Sequence, residues 1–278
     1  MRRILLAVLA LLLFHLPASA TWSVIAVDTA TGQVVIASAT CVPQARFATF
    51  PAKGLMDIQA IVVPGVAVAA AQAGVDNTRA NQTLIYEELR KGTAPAEIIE
   101  MLRSDPNLQR RQFAIVDRQG RSAGFSGSGN GIVSLDMQDR VPGTSIVYSV
   151  QGNILASDEV VYQAARAFRE GEGSMVERVM RAMEVADAQG GDRRCTCASE
   201  PLTAATRACT LKTSNVAYLL VANPTDAVGT TFNDGRYSLF IDVHDQNIQP
   251  HEDANPVTTL RMRYEEWKRS QGSPGLDE

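Results

Sequence analysis

Histidine is scarce in this sequence, and this limits the metal sites and catalysts that it can form. Of its three histidines, one lies in the apolar N-terminal segment, and only His244 and His251 lie beyond it. His244 precedes Asp245, but no Gly-x-Ser-x-Gly motif supplies a nucleophile, so a serine–histidine–aspartate triad is not expected. The glycine-rich segment 127–131 lacks the Lys-Ser/Thr pair of a phosphate-binding loop and is interpreted as a turn.

The sequence also lacks an excess of positive charge and an apolar run long enough to cross a membrane. It has 26 basic and 30 acidic residues. Nucleic acids and anionic membranes bind clustered Lys and Arg, so neither is expected as a partner. The apolar run at 4–14 is well short of the ~20 residues that a transmembrane helix needs.

The N-terminus has the pattern of a removable signal peptide. Arg2 and Arg3 precede the apolar run, and Ala18-Ser19-Ala20 is the small-residue motif behind which signal peptidase cuts. We therefore predict a signal peptide at 1–20, export to the periplasm or beyond, and a mature chain that begins at Thr21 without a membrane anchor. A retained anchor is the alternative interpretation.

Cysteine is present in four copies, an even number that favours disulfides in an exported chain: Cys41, Cys195, Cys197 and Cys209. The last three lie close enough in sequence to form part of a metal site, although no histidine is near them. We predict at least one disulfide from Cys209 to Cys195 or Cys197. Three connectivities exist, and the sequence does not choose among them.

Predicted strands and helices come in pairs rather than in simple alternation. Strands are predicted at 22–27, 33–39, 65–71, 112–116, 122–125, 145–150, 215–222 and 237–243, and helices at 77–91, 95–103, 158–169, 174–187 and 256–267. This order does not fit a parallel doubly wound sheet. It favours an α+β fold in which two antiparallel sheets lie between helix layers, a four-layer αββα sandwich. We predict one domain at 21–269 and a polar, disordered tail at 270–278.

Thr21 would carry both parts of a nucleophilic catalyst once it is the first residue. Its hydroxyl can attack a carbonyl, and its α-amine, with a reference pKa of ~7.7–8, can accept the proton. Thr and Ser are common behind such cleavage sites, so the position alone does not establish catalysis.

Several sequence blocks resemble the DUF1028 family in their order along the chain: 21–28 with Thr31-Gly32, Val35–Ser38, Ala71–Ala73, Val150–Asn153 and Gly190–Arg193. The resemblance implies the fold of the N-terminal nucleophile hydrolases, in which the nucleophile caps the first strand of one sheet. Many family members begin with Met-Thr, so removal of the methionine exposes the threonine. Here signal peptidase would expose it instead.

Three further residues are candidates for the catalytic centre. An amide-cleaving site needs donors for the oxyanion, and a side-chain amide can supply one. Asn153 follows a predicted strand and is the first candidate, with Gln151 as a substrate-positioning residue. Ser38, on the strand predicted to pair with that of Thr21, is expected near the amine. A turn asparagine and a small core serine are the ordinary interpretations.

Other polar residues are predicted to bind the substrate. Gln72 and Asn77 flank Gly74 at a strand end, and Asp192 follows two glycines. The ordinary interpretations are loop or helix-cap roles for the first two and an Asx turn for Asp192.

The sequence thus predicts an exported hydrolase that cleaves an amide C–N bond in a small molecule, without a metal or organic cofactor. The alternative is a catalytically silent binding or cell-envelope protein of the same fold. Homo-oligomerisation is left open.

Overall fold

The computed structural model describes residues 21–47 and 54–272. Its strands are β1 (Thr21–Asp28), β2 (Val34–Thr40), β3 (Ala60–Val63), β4 (Ala67–Ala73), β5 (Arg111–Asp117), β6 (Ser122–Ser126), β7 (Leu135–Arg140), β8 (Ile146–Asn153), β9 (Val216–Ala222) and β10 (Leu239–His244). Its α-helices are α1 (Leu55–Gln59), α2 (Ala80–Lys91), α3 (Pro95–Met101), α4 (Glu159–Glu170), α5 (Met175–Ala188) and α6 (Pro256–Gly272). The predicted signal peptide lies outside the described residues.

Two antiparallel sheets organise the chain. The larger has six strands in the order β10-β9-β2-β1-β8-β7, and the smaller has four in the order β3-β4-β5-β6. The hairpins predicted from the sequence, β1-β2 and β5-β6, are present. Strand β1 lies inside the larger sheet, between β2 and β8, so both of its edges are paired.

Three apolar layers hold the sheets and helices together, as the alternation of side chains along β1 illustrates. Trp22 and Val24 pack towards α4, α5 and α6, whereas Ile25 and Val27 pack towards the smaller sheet. Helices α2 and α3 cover the outer face of the smaller sheet. The order helix, sheet, sheet, helix confirms the predicted four-layer sandwich. Within the described residues, no helix is long and apolar enough to cross a bilayer.

Helix ends follow the signals in the sequence. The Ser174 hydroxyl accepts a hydrogen bond from the Glu177 backbone N–H at 3.3 Å, which caps α5 as the Ser-x-x-Glu spacing predicts. Gly92 ends α2 with a φ of 83°, a conformation that favours glycine.

Some predicted boundaries are wrong. Helix α2 begins at Ala80 rather than at Asn77, because the Asp76 carboxylate accepts the Asn81 backbone N–H and turns the chain just before it. Helix α6 continues to Gly272, so residues 270–272 are helical rather than part of the predicted tail, the rest of which lies outside the described residues. The prediction also missed three elements. Helix α1 and strand β3 are short, and strand β7 has the polar sequence LDMQDR.

Both disulfides involve the cysteines that the sequence singled out. Cys197 pairs with Cys209, which confirms the predicted link, and Cys41 pairs with Cys195. The second bridge ties the end of β2 to the loop that follows α5, across a sequence separation of 154 residues. All four cysteines are oxidised, so none is left as a thiolate ligand for the alternative metal site.

We expect the two disulfides to contribute unequally to stability. In the chain-entropy model a crosslink stabilises in proportion to the logarithm of the loop that it closes, giving about 5 kcal/mol for Cys41–Cys195 and about 3 kcal/mol for Cys197–Cys209. The double variant Cys41→Ala/Cys195→Ala should therefore lose more free energy of unfolding in urea than Cys197→Ala/Cys209→Ala. An equal or smaller loss in the first variant would contradict this expectation.

Candidate active site

Thr21 lies at the end of the larger sheet where β1 begins and where β2 and β8 end. Its register partners are Thr40 on β2 and Asn153 on β8, and each of these is the last residue of its strand. Within the described residues, β1 therefore begins at Thr21, and both neighbouring strands end beside it. The residue is buried, with 2% of its surface exposed.

Polar side chains gather at this end of the layer between the two sheets. The alternation along β1 that turns Ile25 and Val27 to the smaller sheet also turns Thr21 and Ser23 to it. The same two-residue period brings polar residues inward on the other strands. They are Ser38 and Thr40 on β2, Gln72 on β4, Gln112 on β5, and Gln151 and Asn153 on β8, and all are buried.

The backbone carbonyl of Thr21 is held by two side-chain amides. Gln72 Nε2 donates to Thr21 O at 3.1 Å, and Asn153 Nδ2 donates to the same oxygen at 3.5 Å. The first amide comes from the smaller sheet and the second from the larger sheet. The position of Thr21 thus depends on the packing of one sheet against the other.

Gln112 links these two amides. Its Oε1 accepts from Gln72 Nε2 at 2.7 Å and from Asn153 Nδ2 at 3.0 Å. Its own Nε2 donates to Gly152 O at 2.8 Å and to Leu135 O at 3.1 Å. These two bonds hold the amide with its oxygen towards Gln72 and Asn153. The sequence analysis missed Gln112. The signal available was a glutamine inside an otherwise apolar strand, at the register position opposite Gln72.

Gln59, at the end of α1, completes the cluster and was also missed. Its Nε2 donates to Gln72 Oε1 at 2.6 Å, and its Oε1 accepts from the Tyr218 hydroxyl at 2.9 Å. Full burial raises the pKa of Tyr218 well above its usual range, so the hydroxyl keeps its proton and remains a donor. Ser23 Oγ donates to Gln72 Oε1 at 2.8 Å.

The cluster is built without charge. Within residues 21–47 and 54–272, the side-chain amides of Gln59, Gln72, Gln112, Gln151 and Asn153 bond to hydroxyls, other amides and backbone carbonyls, and not to ionised groups. The hydroxyl of Thr21 donates to Thr40 Oγ1 at 3.4 Å. No ionised side chain therefore supplies a base through these hydrogen bonds.

Two of the predicted residues, Ser38 and Gln151, lie opposite Ser23, two register positions from Thr21. Ser38 Oγ donates to Trp22 O at 2.6 Å, so its hydroxyl contacts the backbone of β1 rather than the Thr21 nitrogen. Gln151 Nε2 donates to Ser23 Oγ at 3.3 Å and to Ala70 O at 3.4 Å. Both residues therefore form hydrogen bonds with β1 at Trp22 and Ser23, next to Thr21.

Asn77 and Asp192 lie elsewhere. Asn77 is exposed in the turn before α2. Asp192 is fully buried, accepts the Cys41 backbone N–H at 2.8 Å and forms an ion pair with Arg194 at 2.7 Å. Its carboxylate thus anchors the end of β2 beside the Cys41–Cys195 disulfide. Neither side chain forms a hydrogen bond with Thr21 or with the amide cluster within the described residues.

A cleft adjoins the cluster and is lined in part by Gln72. It is lined by Asp76, Asn81 and Arg111 among others. Burial alone would raise the pKa of Asp76, but the hydrogen bonds from the Asn81 and Thr78 backbone and the Thr78 hydroxyl outweigh it and lower that pKa. Asp76 is therefore an ionised group close to the candidate site, and the sequence analysis did not single it out.

We expect Gln112 to act on Thr21 through the two amides that it joins. Gln112→Met keeps the side-chain length but removes the acceptor, so Gln72 and Asn153 lose a partner and their hold on the Thr21 carbonyl weakens. If Thr21 is the nucleophile, kcat should fall about 10- to 100-fold with little change in KM, because misplacement of a reacting group affects the chemical step. Gln163→Met on the surface of α4 is the matched control. An unchanged kcat would limit Gln112 to a structural role.

Comparison with known proteins agrees with this architecture. The chain is similar to protein SPO2555 of Silicibacter pomeroyi, a DUF1028 protein of known structure, with 20% identity and a TM-score of 0.61 over 89% of each chain. It is also similar to eukaryotic HslV of Trypanosoma brucei, with 14% identity and a TM-score of 0.36 over 72% of this chain and 99% of that one. No curated protein matches the sequence.

The family match has the same starting point as the sheet. DUF1028, described as a family of unknown function, matches residues 21–229. The match thus begins at Thr21, the first residue of β1, and it confirms the resemblance found in the sequence blocks. Because it covers most of the chain, the protein belongs to the DUF1028 family.

Proposed function

We propose that this protein is an exported hydrolase that cleaves an amide C–N bond with Thr21 as its N-terminal nucleophile. The observation that carries the proposal is the position of Thr21. It is the first residue of β1, it is buried, and it lies opposite the last residues of both neighbouring strands. The start of the family match at the same residue supports it.

In the proposed reaction the α-amine of Thr21 replaces the base that the surrounding amides do not supply. The amine takes the hydroxyl proton as Oγ1 attacks the substrate carbonyl, and it returns the proton to the departing nitrogen when the C–N bond breaks. The acyl group is then an ester on Thr21. Water attacks this ester, its proton passes to the amine, and the acid leaves as Thr21 regains its hydroxyl proton.

The uncharged cluster suits this chemistry. A neutral environment does not stabilise the protonated amine in the free enzyme, so the amine remains available as a base near neutral pH. Asn153 was the oxyanion candidate of the sequence analysis, but its amide donates to Thr21 O at 3.5 Å and to Gln112 Oε1 at 3.0 Å, so in the proposal it positions Thr21. Gln72 and Gln112 act as positioning residues.

Processing at Thr21 tests the first requirement of the proposal. Expression with the native N-terminus should yield an exported protein whose first residue, determined by N-terminal sequencing and intact mass, is Thr21. The purified protein should then hydrolyse members of a panel of small amides. A product that keeps residues before Thr21, or that begins at Trp22, would contradict both the localisation and the mechanism.

A further inference from the structure

A small apolar pocket lies beside Thr21. Thr21 itself forms part of the wall, together with Thr40, Gln59 and Gln72. The apolar part of the wall consists of two alanines of β4 and of Val42, Phe47, Leu55, Ile58 and Val75. No charged side chain of the described residues lines it.

This pocket is the open end of the apolar layer between the sheets. Phe47, Leu55 and Ile58 belong to that core, and the partly buried Val42 and Val75 pack against it. At the Thr21 end, the apolar side chains of this layer face a cavity.

The polar atoms in the wall have partners already. Gln72 Nε2 donates to Thr21 O and Gln112 Oε1, and its Oε1 accepts from Ser23 and Gln59. Gln59 Oε1 accepts in turn from the Tyr218 hydroxyl. A charged group that entered the pocket would lose its water and find no charged side chain among the described lining residues to compensate it, which is costly.

The nearest charges in the adjoining cleft are also paired. Arg111 forms an ion pair with Asp105 at 2.7 Å and donates to Gly74 O at 2.8 Å. The Asp76 carboxylate accepts the backbone N–H groups of Thr78 and Asn81 at 3.0 Å each. These groups are committed to local structure and do not compensate a charge placed beside Thr21.

We infer that this pocket receives the acyl side of the substrate and selects an uncharged, short aliphatic group attached to the scissile carbonyl. This inference rests on the proposed function. The acyl side is assigned because it stays bonded to Thr21 throughout the acyl-enzyme, whereas the departing nitrogen becomes a polar amine that an apolar wall disfavours. The group must be short, because the space beside Thr21 totals about 280 Å³ with the open mouth included, and its enclosed part measures only about 20 Å³.

The first test compares two acyl groups of the same shape on the same fluorogenic amine, 7-amino-4-methylcoumarin. The 4-methylpentanoyl and succinyl groups are nearly isosteric, but the second ends in a carboxylate. The chain that begins at Thr21 should hydrolyse the 4-methylpentanoyl amide with a kcat/KM at least about 100-fold higher, because the carboxylate must be desolvated without a partner. Equal or faster hydrolysis of the succinyl amide would overturn the inference while leaving the proposed function intact.

The second test measures binding without catalysis. In Thr21→Ala, ligand-observed NMR should show 4-methylpentanamide binding at least 10-fold more tightly than succinamate. If neither amide substrate is hydrolysed but this preference is found, the proposed function fails and the selectivity of the pocket stands. Binding of neither ligand, or tighter binding of succinamate, would refute the inference.

A third test alters the selectivity at the mouth. Val75 is partly exposed, so Val75→Lys can place a cation at the entrance without replacing a core side chain. The ratio of succinyl to 4-methylpentanoyl hydrolysis should rise at least 10-fold. Tyr162→Lys, on the exposed face of α4 beyond the larger sheet, is the matched control and should leave the ratio unchanged. An unaltered ratio in Val75→Lys would contradict the proposed location of the acyl group.

Discussion

Thr21→Ala is expected to abolish amide hydrolysis while leaving the protein folded. The substitution removes the attacking hydroxyl, so kcat/KM should fall about 10³-fold or more. Thr21→Ser keeps a hydroxyl and should retain part of the activity. The measurement is the hydrolysis rate of the best amide substrate, with each variant first shown by mass spectrometry to begin at residue 21.

Stability provides the control for this experiment. Thr21 is buried, and within the described residues the one hydrogen bond that its hydroxyl donates is long, to Thr40 Oγ1 at 3.4 Å. We therefore expect Thr21→Ala to lose only about 1 kcal/mol of unfolding free energy, which urea denaturation can measure. A binding protein of the same fold would keep its ligand affinity in this variant. Full hydrolytic activity in a folded Thr21→Ala protein would rule out the nucleophile.

A single residue added before Thr21 is expected to be nearly as harmful as loss of the hydroxyl. In the extended chain the Thr21 nitrogen is part of a peptide bond and can no longer accept a proton, and no ionised side chain bonded to the amide cluster replaces it within the described residues. The comparison uses two proteins that differ by one alanine, both released from the same cleavable fusion. Equal activity in the two would contradict the role of the amine.

The pH profile of the correctly processed protein tests the same amine without a mutation. The free amine must be unprotonated to act as a base, so kcat/KM should rise with pH through the pKa of that amine, which is ~7.7–8 in the reference state. Neutral surroundings that desolvate the amine would shift the midpoint downward. The extended chain should lack this rise, and its presence there would point to another base.

How far the sequence predicted the site can be seen on β1. The sequence analysis predicted a strand over 22–27, its pairing with the next strand, and Gln72 and Asn153 as candidate site residues. The alternation that turns Thr21 and Ser23 to one face follows from that strand. Alternation is local, because successive side chains on a strand point to opposite faces. It assigns a side chain to one face or the other without reference to the rest of the molecule.

Residues that reach the site only through packing of the smaller sheet could not be predicted from strand alternation. Gln59 and Gln112 become part of the site only because the smaller sheet packs its inner face on the larger one and brings their amides to Gln72 and Asn153. Asp192 was predicted at the site and lies outside it. The family-like block at 190–193 singled out the residue, but a sequence block does not say where in the fold the residue lies. The structure puts it under Cys41, where it anchors β2.

The sequence by itself determined the four-layer class, the family, the strand that contains Trp22–Val27, and several of the polar residues at the strand ends. Only the tertiary structure decided which of these polar residues meet around Thr21, which cysteines pair, and that the cavity beside Thr21 is apolar. The physical reason is the range of the interactions. Strand periodicity and helix caps depend on neighbours a few residues apart, whereas the amide cluster and the pocket arise from contacts between segments far apart in the chain, such as Thr21 with Asn153 and Cys41 with Cys195.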